Sequence, residues 1–266
     1  MTQQTACNYG QAWPGVIYIP TCYYWGPTVR HQLGMQQTRG AYWDTVAPHE
    51  VAHLWWGHSV GWNSYRDQWM SEGFSNLSAS LFLQVVYPKE PQRFRNFWRD
   101  MLFLITERNS QGFRPIEVGP VTQGYRLSSG RTGSIASDVL YPKGAYILHM
   151  LRMMMWSPKE GDTKFKGMLR DFISTYKNQP VTTEDFKAMV EKHMLPEVKI
   201  TQSGVSDGFV MLVPIYIELQ DGRVMRLGSA TLRGNTSVSQ KVNLGQVPVK
   251  RAHLNYYYDV LAMEEK

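Results

Sequence analysis

The sequence has little of several features that would assign it quickly to a class of protein. No apolar run approaches the roughly 20 residues needed to cross a bilayer, which excludes a membrane-spanning helix from these 266 residues. Basic residues outnumber acidic ones by 28 to 22, but they are scattered, and no basic cluster interleaved with aromatics indicates a nucleic-acid partner. The first residues also lack the basic and apolar regions of a signal peptide, so the compartment stays open.

Cysteine is equally scarce. The chain has only Cys7 and Cys22, which is too few for a disulfide framework. They would pair if the segment between them folds back as a hairpin, and they would stay reduced in a cytoplasmic chain. The sequence favours neither state, and without a C-x-x-C pair a structural zinc held by sulfur is not expected.

The most informative stretch that is present is HEVAHLWWGH, residues 49–58. His49 and His53 are four residues apart, so on a helix they share one face and can direct a ring nitrogen each at a common point, with Glu50 beside it. This pattern predicts a zinc site. A catalytic zinc usually takes three protein ligands and keeps a fourth position for water, so a third ligand must lie elsewhere.

Two arrangements for the third ligand can be tested. The metzincin pattern needs a glycine three residues after the second histidine, where this chain has Trp56. The gluzincin pattern takes a glutamate from a following helix. Eighteen residues separate His53 from Glu72, which lies in QWMSEGFSNLSASLFLQVV, a segment whose apolar residues recur at helical spacing. We therefore expect His49, His53 and Glu72 to hold one Zn²⁺ ion.

HExxH followed after eighteen residues by W-x-x-E-G-F resembles the aminopeptidase-N and leukotriene hydrolase branch of the gluzincins, peptidase family M1. The segment DVLYPKGAYILHML is similar to the family's Y-x-K-G-A segment and places Tyr141 at its tyrosine. The resemblance covers roughly residues 40–195. It implies a thermolysin-like, mainly helical zinc domain that hydrolyses peptide or protein substrates. A zinc-activated water would attack with Glu50 as general base, and Tyr141 would stabilise the transition state.

The sequence also departs from the family. The G-x-M-E-N segment, whose glutamate binds the substrate's free amino group, is missing, and the nearest candidate, GQAWPG at residues 10–15, has no carboxylate. Exopeptidase and endopeptidase specificity therefore both stay open. Only 48 residues precede His49, without the family's large N-terminal β domain, so we expect an N-terminally shortened member.

Other functions remain as alternatives. One is a zinc-stabilised binding or scaffold protein without turnover, and another is a zinc hydrolase of esters or epoxides. A purely structural zinc site needs neither Glu50 nor Tyr141, which argues against the scaffold, whereas the missing amine-binding segment argues for it. His58 either braces a metal ligand or is an ordinary hydrogen-bonded histidine. Side-chain preference, biological substrate and oligomeric state are open.

The patterns of the whole chain predict an α+β fold. Helical spacing dominates from a zinc helix capped by Asp44, with Pro48 in its first turn, to about residue 195. It is interrupted by a long glycine-rich segment, residues 108–136, expected near the substrate cleft. From about residue 197 the runs FVMLVPIYIEL, VMRLGSATLRG and SVSQKVNLG are typical of strands. We expect a catalytic domain over residues 1–196, with a residual β lobe and a helical lobe, and a small β-sandwich over residues 197–266.

Overall fold

The protein has a mixed α+β fold in a computed structural model that describes residues 2–5, 7, 9–35, 42–193, 202–219, 221–236, 249–254 and 256–260. The helices are α1 Pro27–Gln32, α2 Tyr42–Ala52, α3 Gln68–Val86, α4 Pro91–Thr106, α5 Ile135–Asp138, α6 Gly144–Met155, α7 Thr163–Tyr176 and α8 Thr183–His193. The strands are β1 Thr2–Thr5, β2 Gln11–Trp13, β3 Val16–Pro20, β4 Val60–Trp62, β5 Gln179–Val181, β6 Val210–Leu219, β7 Val224–Arg233 and β8 Val249–Leu254. Shorter turns are the 3₁₀ helices Thr21–Tyr24 and Val121–Leu127 and the π-helical turn Val139–Lys143.

The chain divides into two compact units. The first comprises Met1–Leu148 with Phe172–Lys187, and the second His149–Asp171 with Ala188–Lys266. In the first unit β3 pairs in parallel with β1 and antiparallel with β2, and β4 pairs in parallel with β5. The second unit contains an antiparallel sheet in the order β7-β6-β8. No described helix is both long enough and apolar enough to cross a membrane.

Helix α2 begins earlier than its sequence predicts. Tyr42 and Trp43 are already helical, so the expected N-cap at Asp44 and the expected place of Pro48 in the first turn are wrong. Asp44 lies in the first turn, where a carboxylate suits the positive end of the helix dipole, and its Oδ2 is 2.7 Å from Nη1 of Arg93. Pro48 lies inside the helix and removes one backbone donor there.

Two glycines allow α3 to approach the start of α6 closely. A Cβ at Gly73 would lie 2.9 Å from the carbonyl carbon of Gly144, and one at Gly144 would lie 3.3 Å from the Trp69 ring. Any larger residue at position 73 would push the two backbones apart. Since Glu72 precedes Gly73 and Tyr141 lies one turn before Gly144, this contact brings two of the predicted site residues together.

The pairing of the two cysteines is settled by the structure. Cys7 and Cys22 form a disulfide with their Cα atoms 5.1 Å apart. Between them β2 and β3 form the antiparallel hairpin that such a pairing requires. The bond therefore closes a loop that contains β2.

The C-terminal strands are partly those expected. The runs at residues 209–219 and 224–234 form β6 and β7, and the turn between them is closed by a hydrogen bond from the Leu219 amide to the Arg223 carbonyl, 2.8 Å. Strand β8, Val249–Leu254, is not among the predicted runs, because the consecutive Lys250 and Arg251 interrupt the apolar alternation of VKRAHL. The expected strand SVSQKVNLG and the junction at residues 194–201 lie outside the described residues.

Candidate metal centre

Three potential metal ligands meet in the first unit. His49 and His53 come from α2 and Glu72 from α3. The two Nε2 atoms are 3.0 Å apart, and Glu72 Oε2 lies 3.3 Å from that of His49 and 3.2 Å from that of His53. Among the described residues these three form the one His, Cys, Asp and Glu group whose ligand atoms all lie within 4.8 Å of one another.

Hydrogen bonds on the far side of each ring fix the imidazole tautomers. His53 Nδ1 is 2.9 Å from the Trp56 carbonyl oxygen, which can only accept, so Nδ1 carries the proton. His49 Nδ1 is 2.9 Å from Asn76 Oδ1 and donates to it in the same way. In the neutral rings both Nε2 atoms therefore keep their lone pairs on the side of Glu72, which is the arrangement of metal-binding histidines.

Glu72 is held as a carboxylate in this environment. Burial alone would raise its pKa, but the two facing imidazoles, whose protonated forms direct an N–H and a positive charge at the carboxylate, outweigh burial and lower the pKa to about 2. Its buried Oε2 nevertheless has no hydrogen-bond partner among the described residues. Three lone-pair atoms that face one another instead of pairing fit a metal ion, and two imidazoles with one carboxylate suit a catalytic zinc.

Glu50 lies beside this cluster and lines the same cleft. Its side chain is buried, and burial is the main reason why its pKa is raised above 4.5, with the nearby Glu72 adding to the effect and the imidazoles of α2 opposing it. The backbone of Gly10 approaches so closely that a Cβ there would lie 2.5 Å from Glu50 Oε1. Glycine at position 10 therefore leaves room for the Glu50 carboxylate.

Tyr141 projects from the π-helical turn Val139–Lys143, which contains Pro142. Single π-helical turns inside helices are frequent at functional sites. The Tyr141 ring stacks on the His49 ring at 6.0 Å and 12°. The pKa of Tyr141 is raised far above its usual value, first by burial and then by Glu72 and Tyr125, so its phenol stays protonated and able to donate.

The cleft has a volume of about 760 Å³ and is lined by all five predicted site residues. Strand β2 forms part of its wall, and His58 Nε2 lies 2.9 Å from the Ala12 carbonyl oxygen of that strand. His58 therefore hydrogen-bonds to the cleft wall and is not in the metal-binding group. This contact favours the interpretation of His58 as an ordinary hydrogen-bonded histidine. The ring of Trp13 lies 6.5 Å from His58 and is half exposed.

Several residues of the site were missed by the sequence reasoning. Asn76, which orients His49, lies one helical turn after Glu72, so helical spacing could have found it. Ser71 and Ser75 place hydroxyls 3.2 and 3.1 Å from His53 Nδ1. Tyr125, which adds to the raised pKa of Tyr141, comes from the glycine-rich segment, where no periodicity signals this effect.

The geometry defines a mononuclear metal site of the gluzincin type, and comparison with known proteins identifies the family. Residues 29–204 match the model of the peptidase family M1 domain, so the chain belongs to peptidase family M1. Family membership and the His-His-Glu group together assign zinc as the cofactor.

Curated relatives are aminopeptidases much longer than this chain. It is 26% identical to "Probable aminopeptidase 2" of Sulfurisphaera tokodaii over 68% of this chain and 22% of that protein. It is also 26% identical to "Endoplasmic reticulum aminopeptidase 2" of Homo sapiens over 60% of this chain and 15% of that protein. An M1 zinc metallopeptidase from Deinococcus radiodurans is similar at a TM-score of 0.45 and 22% identity, over 72% of this chain and 35% of that one.

Proposed function

We propose that this chain carries the active site of a zinc metallopeptidase that hydrolyses peptide bonds. The observation that carries the proposal is the convergence of His49, His53 and Glu72 in one cleft that Glu50 and Tyr141 also line. A zinc ion held by the first three residues would supply positive charge that polarises a carbonyl and makes water acidic enough to ionise at about pH 7.

Glu50 is proposed as the general base. Adjacent in sequence to a ligand but outside the ligand group, its carboxylate can take a proton from the attacking water and deliver it to the leaving amine. The raised pKa supports this role, because a carboxylate that is easier to protonate is better matched to both halves of the transfer.

Tyr141 is proposed to stabilise the transition state. Its protonated phenol faces the cleft next to the ligands His49 and Glu72. As the carbonyl oxygen gains negative charge, the phenol donates a hydrogen bond that is stronger in the transition state than in the substrate.

We further propose that the enzyme is aminopeptidase-like but lacks the usual amine-binding segment. Glu50 and Glu72 are the carboxylates among the described residues that line the cleft, and both have other roles. None of the described lining carboxylates is left to pair with the ammonium group of a free N-terminus. Peptides whose N-terminus is blocked or distant should therefore be accepted at least as well as free ones.

The proposal extends to the architecture. The helices up to His193 and the antiparallel strands from Val210 support a thermolysin-like catalytic domain over residues 1–196 and a β-sandwich domain over residues 197–266. The three-stranded sheet in the order β7-β6-β8 among the described residues of this part supports the proposal, because a sandwich is built from such antiparallel sheets.

The function is tested with paired peptides of one sequence, free or acetylated at the N-terminus. We expect hydrolysis that a chelator abolishes and added Zn²⁺ restores. Glu50→Gln should bind zinc normally but turn over about 100- to 10,000-fold more slowly, because general-base catalysis contributes a factor of that order. Glu184→Gln, an exposed carboxylate on α8, is the matched control and should behave as wild type.

Each outcome decides between the alternatives. Cleavage of acetylated peptides supports the lack of an amine-binding carboxylate, whereas cleavage of free peptides alone contradicts that part. Zinc binding without hydrolysis of any peptide contradicts the proposed activity. It would favour the scaffold, or, if an ester or epoxide is turned over, the non-peptide hydrolase.

A further inference from the structure

Trp13 presents an apolar surface inside the cleft. The residues of β2 are exposed, buried and exposed in turn, so the side chains of Gln11 and Trp13 lie on one face of the strand. Both residues line the cleft, and 52% of Trp13 is exposed. An indole is large and mainly apolar, so its exposed half is surface that an apolar group of a bound peptide would cover.

The backbone that carries Trp13 has little freedom. Trp13 pairs with Val16 across a turn made of Pro14 and Gly15. Proline favours extended backbone in the residue before it, and Gly15 has the left-handed φ of 87° that is typical of the third position of a type II turn. The disulfide ties the chain before β2 to the turn after β3. The hairpin therefore holds the indole at a defined place in the cleft wall.

His58 holds the free edge of β2. In a hairpin with a two-residue turn, the residues that flank the turn exchange hydrogen bonds, so the next residue, Ala12, directs its carbonyl away from β3. His58 Nε2 donates to this carbonyl oxygen at 2.9 Å. The His58 ring also lies 6.5 Å from the Trp13 ring, with 31° between the two planes. Strand β2 is thus fixed by β3 along one edge and by His58 along the other.

The charges of the cleft favour an uncharged partner for Trp13. Among the described residues that line the cleft there is no lysine or arginine, and the carboxylates are Glu50 and Glu72 of the metal centre. A charged side chain of a peptide would lose hydration there without gaining a free counter-charge. Tyr9 and Trp62 line the same cleft and are exposed by 50% and 40%. The wall is therefore suited to an aromatic side chain.

We propose that Trp13 selects an aromatic side chain of the peptide substrate, and that His58 is a positioning residue that holds β2 and its indole for this contact. The proposal rests on the function given above, because it assigns the specificity of the same cleft. Aromatic pairs strengthen binding by about 2- to 12-fold beyond the effect of the area they bury. A peptide with one phenylalanine that reaches Trp13 should therefore bind more tightly than the same peptide with alanine.

The contact is tested by binding, without turnover. The nine tryptophans of the full chain are replaced by fluorotryptophan in the zinc-loaded Glu50→Gln variant, and the Trp13 resonance is assigned by its loss in Trp13→Phe. The probes are acetylated pentaalanine and the peptides in which phenylalanine replaces each alanine in turn. One of the phenylalanine peptides should shift the Trp13 resonance and bind about 2- to 12-fold more tightly than pentaalanine.

Trp55 provides a matched control, because it is 49% exposed but lines a groove separate from the cleft. Its resonance should stay in place with every peptide. In the enzyme with native Glu50, Trp13→Ala should remove the preference, so that the phenylalanine and alanine peptides have equal kcat/KM, with zinc content as in wild type. Trp55→Ala should keep the preference, and Trp13→Phe should keep part of it because an aromatic ring remains.

The role of His58 is tested by two substitutions. His58→Gln keeps an amide N–H near the place of Nε2 and should keep the preference for phenylalanine. His58→Leu has no donor, so β2 is held less firmly, and about half of the preference or more should be lost. Zinc affinity should be the same in both variants. His58→Leu reports independently if Trp13→Ala folds poorly.

Several results would overturn the inference. An unmoved Trp13 resonance with every phenylalanine peptide would exclude the contact, and a preference that survives Trp13→Ala would assign it to another part of the cleft. Equal preference for lysine or glutamate at the same position would exclude aromatic selection. Full preference in His58→Leu, or weaker zinc binding in both His58 variants, would remove the positioning role. If wild type hydrolyses no peptide, the proposed function fails, while the resonance still decides whether Trp13 binds an aromatic side chain.

Discussion

Two buried carboxylates, one in each compact unit, have pKa values shifted in opposite directions. In the first unit the imidazoles of His49 and His53 lower the pKa of Glu72 to about 2. In the second unit burial raises the pKa of Asp259 to about 6, although Tyr216 donates a hydrogen bond to it and the charge of Arg226 opposes the rise. Asp259 is 1% exposed, and its Oδ1 has no hydrogen-bond partner among the described residues.

The difference shows what separates a ligand from a packed polar residue. Burial opposes the charge on both carboxylates. At Glu72 the two facing imidazoles, when protonated, outweigh burial, so the carboxylate keeps its charge beside two other potential metal ligands. At Asp259 the neighbours compensate less, and the group tends toward the neutral form that packing prefers.

The largest expected effect comes from replacing each of the two carboxylates with the corresponding amide. Glu72→Gln removes one ligand and its charge, and it should weaken zinc binding by more than the roughly 10- to 100-fold that loss of an outer hydrogen-bond partner costs. Asp259→Asn should leave zinc content as in wild type. Competition with a chelator of known affinity measures the zinc affinity of both variants. Equal zinc affinities of the two variants would contradict the comparison.

The two buried phenols give the next largest contrast. Tyr141→Phe should lower kcat by about 100- to 1,000-fold with zinc retained, because one oxyanion donor is lost. Tyr216→Phe should leave kcat unchanged and lower the free energy of unfolding by about 1–3 kcal/mol, since Asp259 loses its partner. Metal content, kcat and denaturant unfolding of both variants check this, and full activity of Tyr141→Phe would remove it from the mechanism.

The last contrast is a pH dependence of stability at Asp259. Between the ordinary pKa of 3.8 and the folded value of about 6, folded Asp259 binds more protons than the unfolded chain. Its contribution to stability is therefore fully present below pH 3.8 and is lost as pH rises through about 6, at about 1.4 kcal/mol for each unit of the shift. The difference in unfolding free energy between wild type and Asp259→Asn should fall across this window, and a constant or rising difference would contradict the raised pKa.

Residue spacing predicted that His49, His53 and Glu72 come together, as they do in the structure. His49 and His53 share a face because helix geometry makes residues four apart neighbours, and Glu72 lies near the start of the next helix. The α+β class followed from the change in apolar period along the chain. These features depend on local periodicity, which a sequence displays directly.

The rest depended on contacts that periodicity does not encode. Tyr125 follows Gly124, a left-handed residue in a non-repetitive segment, and no alternation of polar and apolar residues signals such a turn. Asp44 in the first turn of α2 pairs with Arg93 of another helix, 49 residues away, and such a long-range contact is not visible in local spacing. The disulfide was undecided because pairing depends on the hairpin between Cys7 and Cys22.

That disulfide has a consequence for handling the protein. It closes a loop spanning 15 positions. The loop contains β2, which lines the cleft, and Gly10, whose backbone lies against the Glu50 side chain. A closed loop has less conformational freedom than an open one, so the disulfide restricts the cleft wall in addition to packing. Samples stored with and without a thiol reductant would thus differ in the conformational freedom of the cleft wall that a peptide contacts, even with identical metal content.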